Sequence, residues 1–208
     1  MTTAPLDVGA LWLQTLQRAL GRASHDVKDA LNGISVNLEV IRTRAARPDA
    51  PASAVASFGD AAAQQFERVA KLIDAVLVLG RAERDPADVA ATLRKIATLC
   101  SASPTSADAL VRVIEDPTSG STLTRVPGDA MRLALAAPLL DIVVGSDRAR
   151  RASEVSCTIA SDAHTVEVTI AAAGRSVTMP EGIGEAARRA GVQWVQDDPT
   201  LTLGFPRA

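Results

Sequence analysis

The sequence predicts an α+β protein: a long helical hairpin completed as a dimeric four-helix bundle, then a smaller layer of helices on one face of a mostly antiparallel sheet. Three observations carry this. Apolar residues repeat at three- and four-residue steps through the first ~80 positions. The repeat changes to strict alternation further on. Composition is 47% hydrophobic but only 2% aromatic, with no tyrosine in 208 residues, which suits closely packed helices of Ala and aliphatic side chains. The hairpin is assigned to residues 1–84 and the second layer to 85–208.

The first helix is expected over about 7–44. Its seam reads Leu13, Leu16, Leu20, Ala23, Val27, Ala30, Ile34, Asn37 and Ile41, and Leu31 and Leu38 widen it. Pro48 and Pro51 break the pattern, because proline cannot continue a helix. A second run follows through Phe58, Ala62, Gln65, Val69, Leu72, Val76 and Leu79, flanked by Phe66, Ile73 and Leu77. Gly80, Asp85 and Pro86 stop it. A lone hairpin covers one side of each stripe, so pairing with a second copy is the expected completion.

Beyond Pro86, "ADVAATLRKIATLCS" reads as helix, "ALVRVIED" as strand and "GDAMRLALAAPLLDIVVG" as a buried helix. "EVSCTIASDAHTVEVTIAA" alternates on both sides of a polar turn and reads as a hairpin. The helix "EGIGEAARRAG" and the strands "VQWVQ" and "LTLGF" close the chain. Helices interleaved with such strands suggest a two-layer α+β unit.

Composition also excludes function classes. A net charge of −2 predicts neither nucleic acid nor an anionic membrane as partner. No apolar run reaches the ~20 residues that span a bilayer, and the first residues lack the basic-then-apolar order of a secretory signal. The two cysteines, Cys100 and Cys157, stand apart in apolar surroundings, so no disulfide framework or metal cluster is expected. These readings predict a soluble, cytoplasmic protein.

One stretch stands out chemically: "SHDVKDALNGI", which holds His25, one of two histidines. At ~100° per residue His25 lies roughly 170° from the Leu20–Ala23–Val27 seam, on the side expected to face water. Arg22, Lys28, Asp29 and Asn32 share that side. The plain reading is a solvated charged face that includes a histidine. His164, in the turn of the predicted hairpin, has no convergent partners and reads as surface.

The stretch "SHDVKDALNGI", with a Pro-broken loop and "ERVAKLIDAVLVLGRAE" after it, resembles the dimerisation and histidine-phosphotransfer domain of two-component histidine kinases. That family follows its phospho-accepting histidine with an acid, a basic residue three places on and a leucine six on; here these are Asp26, Lys28 and Leu31. The His-Asp pair with Asn32 is similar to phosphotransferases of sporulation-type relays. "PADVAATLRKIATL", "VPGDAMRLALAAPLLDIVV" and "LTLGFPRA" resemble the outline of the kinase ATP-binding domain.

The departures matter as much. The family's magnesium-holding Asn aligns with Gly145. Its adenine-reading Asp-x-Gly-x-Gly is replaced by Ala171, Ala172, Ala173 and a single Gly174, and its glycine-rich lid is missing. Gly182 and Gly184 read as a loop entering a helix. The resemblance therefore implies a dimeric histidine phosphotransferase with a degenerate ATPase-like domain, no cofactor of its own and no metal site. Magnesium would come from a partner receiver domain. His25 would be the nucleophile, as neutral imidazole with an ordinary pKa of ~6.5. Asp26 would orient or deprotonate it and Lys28 would offset the phosphoryl charge. Asp29 stands where kinases with phosphatase activity carry Thr or Asn, which argues against that activity. Ala30 in place of the usual Pro should leave the first helix less kinked.

Expected partners are a second copy and the receiver domains of response regulators or of a hybrid histidine kinase, docked against Arg22, Lys28, Asp29, Asn32 and Val36. Val36 points outward, either to a docked partner or to cover from the second domain. The competing reading from another class is an inactive pseudo-histidine-kinase scaffold that binds and regulates a kinase or response regulator. A third, an active kinase with an unusual nucleotide site, is opposed by the glycine at position 145.

Overall fold

The computed structural model describes residues 7–47, 51–81, 86–101, 110–144 and 154–208, with the backbone alone described at Arg22, Leu110 and Val144. Helix α1 spans Val8–Ala45, with Asp7 as its N-cap: the Asp7 carboxylate accepts the Ala10 N–H at 3.2 Å. Helix α2 spans Ser53–Leu79 and stops at Gly80. It begins five residues before Phe58, since the chain turns helical as soon as it leaves Pro51, whose carbonyl accepts the Ala54 N–H. Pro48 and Asp85, and with Asp85 the expected boundary between the two halves, lie outside the described residues.

The two helices run antiparallel. Near the tip, Arg44 donates to the Ala54 carbonyl at 2.8 Å and its guanidinium lies 4.6 Å from the Phe58 ring centre. Midway, Gly33 lets the helices approach closely: a Cβ there would fall 2.6 Å from the Gln65 amide.

The second half begins with a short strand β1, Ala87–Asp88, which pairs with β3, Leu123–Thr124. The sequence reading had folded Ala87 and Asp88 into the next helix. Asp88 instead caps it, accepting the Ala91 N–H at 3.1 Å and the Thr122 hydroxyl at 2.7 Å. Helix α3 is Val89–Cys100, α4 is Gly128–Val144 and α5 is Ile183–Arg189. The main sheet is formed by β2 (Leu110–Glu115), β4 (Glu154–Ser161), β5 (Thr165–Ala172), β6 (Gln193–Asp197) and β7 (Thr200–Pro206). Their order across the sheet is β2-β4-β5-β7-β6, with only β2 and β4 parallel. The expected α+β layering with a mostly antiparallel sheet is therefore what forms.

Alternation does the sorting. Val155, Cys157 and Ile159 on β4, Val166, Val168 and Ile170 on β5, and Leu201, Leu203 and Phe205 on β7 are all fully buried beneath α3 and α4. The core continues without a break into the base of the hairpin. Trp12, Leu16, Ala19 and Ala23 of α1 and Leu72, Ala75 and Leu79 of α2 pack with Leu93, Ile96, Leu99 and Leu140.

Here the seam differs from the expected one. Trp12 is buried, while its neighbour Leu13 is 59% exposed. The inward side of α1 is set by α4 as well as by α2, which turns it towards Trp12, Ala19, Asp26 and Ala30 and leaves Leu13, Leu31 and Leu38 outside.

Candidate functional site

His25 sits just before the middle of α1, beyond the turns from Trp12 to Ala19 that meet Ala136 and Leu140 of α4. Its side chain is 77% exposed, as projection from the seam predicted. Its Nδ1 lies 3.0 Å from the Asp29 carboxylate, one turn further on. Residues four apart share a helix face, whereas adjacent residues diverge by ~100°. The carboxylate beside the imidazole is thus that of Asp29, where the sequence points to Asp26. Asp26 is turned inward and is only 5% exposed.

A neutral imidazole carries one proton. A carboxylate beside Nδ1 favours the proton on that nitrogen, which leaves the Nε2 lone pair for a partner. The pair is exposed, so the contact fixes tautomer and ring pose more than it adds stability. Lys28, Asn32 and Val36 are exposed as well. Val36, at 64% exposure, is not covered by the second half of the chain. The Arg22 side chain lies outside the described residues.

His164 occupies the β4–β5 turn as expected. There the Asp162 carboxylate accepts the backbone N–H groups of His164 and Thr165, each at 2.7 Å, and these bonds hold its carboxyl below the usual carboxylate range.

A second feature went unread in the sequence as a unit. Leu13, Leu31 and Leu38 on α1 and Phe66, Ile73 and Leu77 on α2 are all exposed. By projection those of α1 fall within about 20° of one another and those of α2 within about 40°. Between them runs a groove of about 380 Å³, lined by Leu20, Val27 and Lys28 from α1 and by Ile73, Val76 and Leu77 from α2. His25 lies about 120° around α1 from this stripe. The heptad reading had merged both apolar sides into one seam.

At the end of β5 the structure places Ala171, Ala172 and Ala173, which offer methyl groups and no carboxylate, followed by Gly174 with φ 69°. Gly184 is small for a packing reason: a Cβ there would lie 3.0 Å from both the Met179 and the Trp194 side chains. Gly145 lies outside the described residues. Among the described residues no three His, Cys, Asp or Glu side chains gather as a metal site would require, and no helix is long and apolar enough to cross a membrane.

No protein-family model and no curated protein matches this chain. Among solved structures, it is similar to the histidine kinase AdeS of Acinetobacter baumannii, with 12% identity and a TM-score of 0.44, over 88% of this chain and 97% of that one. It is also similar to the histidine kinase ThkA, solved in complex with the response regulator TrrA. There identity is 12% and the TM-score 0.39, over 94% of this chain and 63% of that one.

Proposed function

We propose that this chain is a dimeric histidine phosphotransferase that relays a phosphoryl group between response-regulator receiver domains through His25, without binding ATP. The observation that carries the reading is the exposed imidazole whose Nδ1 lies 3.0 Å from the Asp29 carboxylate.

In the proposed step Nε2 attacks the phosphorus of a receiver's aspartyl phosphate. The new N–P bond forms as the P–O bond to the aspartate breaks, and the carboxylate leaves with the electron pair. The Nδ1 proton stays in place, and Asp29 balances the positive charge that the ring acquires. Transfer to a second receiver is the reverse, so no proton need be exchanged. Lys28, a turn from the ring, offsets phosphoryl charge, and the receiver brings the magnesium. Asp26 acts on the pose of α1 through its buried position and not on the ring.

The docking face consists of Lys28, Asp29, Asn32 and Val36, with Arg22 next to them in sequence register. Dimerisation uses the other side, the stripe from Leu13 to Leu38 with Phe66, Ile73 and Leu77. Exposed apolar residues that recur along one line of each helix, with an apolar groove between, suit an interface better than scattered ones do. His25 lies about 120° around α1 from the stripe, and Lys28, which also lines the groove, marks the border between the two faces.

Incubation with a phosphorylated receiver domain tests this. Label is expected to move to the wild-type chain and not to H25A. Tight receiver binding with no transfer would replace the proposal by the regulatory scaffold, and labelling by ATP alone would replace it by a kinase.

A further inference from the structure

We propose that the groove between α2, α3 and β2 binds a small phosphate monoester that carries an apolar body. The groove holds about 360 Å³, within the range of small-molecule pockets. Arg68 and Lys71 approach it from α2 and Arg94 from α3. None of these cations belongs to the His25 face, so the inference stands apart from the relay.

The charges around the groove are unbalanced. Arg94 is matched by Glu115, whose carboxylate accepts its Nε–H at 2.8 Å and also an Nη2–H. Arg68 and Lys71 have no ion-pair partner among the described residues. The Nη2 of Arg68 is shut off from solvent with no acceptor in reach. A buried donor without an acceptor loses its hydration for nothing, so the Arg68 guanidinium gains by turning that nitrogen into the groove towards an oxyanion.

Three cations less the one carboxylate leave two positive charges, the complement of a phosphate monoester near neutral pH. A carboxylate ligand would neutralise only half of that. Turned into the groove, the guanidinium fork of Arg68 suits two phosphate oxygens, and Lys71 supplies a mobile point charge. The remaining wall is aliphatic, with Leu72, Val111 and Val113, and asks for an apolar body behind the phosphate. A ligand held there touches both the hairpin and the sheet layer, and so would clamp one to the other.

Phenyl phosphate titrated calorimetrically against the full chain tests the site. Saturable 1:1 binding is expected, together with a higher Tm because the ligand favours the native state. Affinity should fall about tenfold in K71Q and in R68Q, and be about tenfold lower for benzoate and for inorganic phosphate. K71Q alters an exposed side chain and keeps the fold; melting curves check R68Q. Absence of saturation up to about 10 mM, or unchanged affinity in K71Q, overturns the proposal. Equal affinity for inorganic phosphate or benzoate overturns it too.

Discussion

The lower and upper halves of the hairpin have the same helical repeat and yet sit in different surroundings. From Trp12 to Asp26, α1 packs against α2, with α4 added along its turns from Trp12 to Ala19, and it buries Trp12, Thr15, Leu16, Ala19, Ala23 and Asp26. Beyond Ala30 no described residue of α1 is buried, although Ile34, Asn37 and Ile41 continue the pattern. In α2 the split is mirrored: Val69, Leu72, Ala75 and Leu79 are buried, whereas the first turns, up to Ala61, contribute none. The base is therefore part of the sheet layer's core, and the tip is a two-helix ribbon with an uncovered apolar side. His25 lies where one regime gives way to the other. Its helix is clamped just below, its ring is in water, and the face beside it is open for a partner.

The contrast can be tested from its largest consequence down. Replacing His25 by Ala is expected to abolish phosphoryl transfer from a receiver, a loss of more than about a thousandfold. The Tm should not change, because the ring is exposed. Retained transfer in radiolabel assays would dissociate the site from the chemistry.

In the clamped base, Leu72→Ala removes a side chain that is 2% exposed and should cost about 2–5 kcal/mol in denaturant unfolding. The same change at Leu38 should cost the isolated chain less than about 1 kcal/mol. Equal costs would erase the distinction between base and tip.

At the tip, Leu31→Asp combined with Leu38→Asp is expected to give monomers in sedimentation equilibrium while the circular dichroism spectrum is kept. A dimer that survives would place the interface elsewhere.

Asp29→Ala should slow transfer by about fivefold, as expected for an exposed orienting contact, with Asp26→Asn acting mainly on stability. The reverse pattern, read from single-turnover rates and melting curves, would return the orienting role to Asp26.

The smallest effect is an absence of reaction. Burial pushes the Cys157 thiol up to about 12, so at pH 8 the native chain should resist alkylation there until it is denatured, as mass spectrometry would report. Rapid labelling would mean that the sheet layer opens as readily as the tip.

Much of this was legible in the residues alone. Three- and four-residue spacing gave both long helices, with the first correct to within one residue at each end. Strict alternation gave the β4–β5 hairpin. The exposure of His25 followed from its angle to the seam, because a helix's projection is fixed by its period. The seam itself was only half legible. Periodicity reports which residues are apolar, not which neighbour covers them, so Leu13 was placed inside and Trp12 was passed over. The strand pair β1–β3 escaped for a related reason: two residues are too short to show a period, and their partner is supplied by a distant loop.

What the sequence by itself determined is the longer elements and the outward aspect of His25 on α1, since each depends on interactions within a few turns or a few strand residues. Only the tertiary structure decided which apolar stripe is left bare and where Arg68, Lys71 and Arg94 converge. Those outcomes depend on how α4 and α3 come to rest against the hairpin. Contacts between elements distant in the chain are chosen by the packing of the whole core, and no local pattern encodes them.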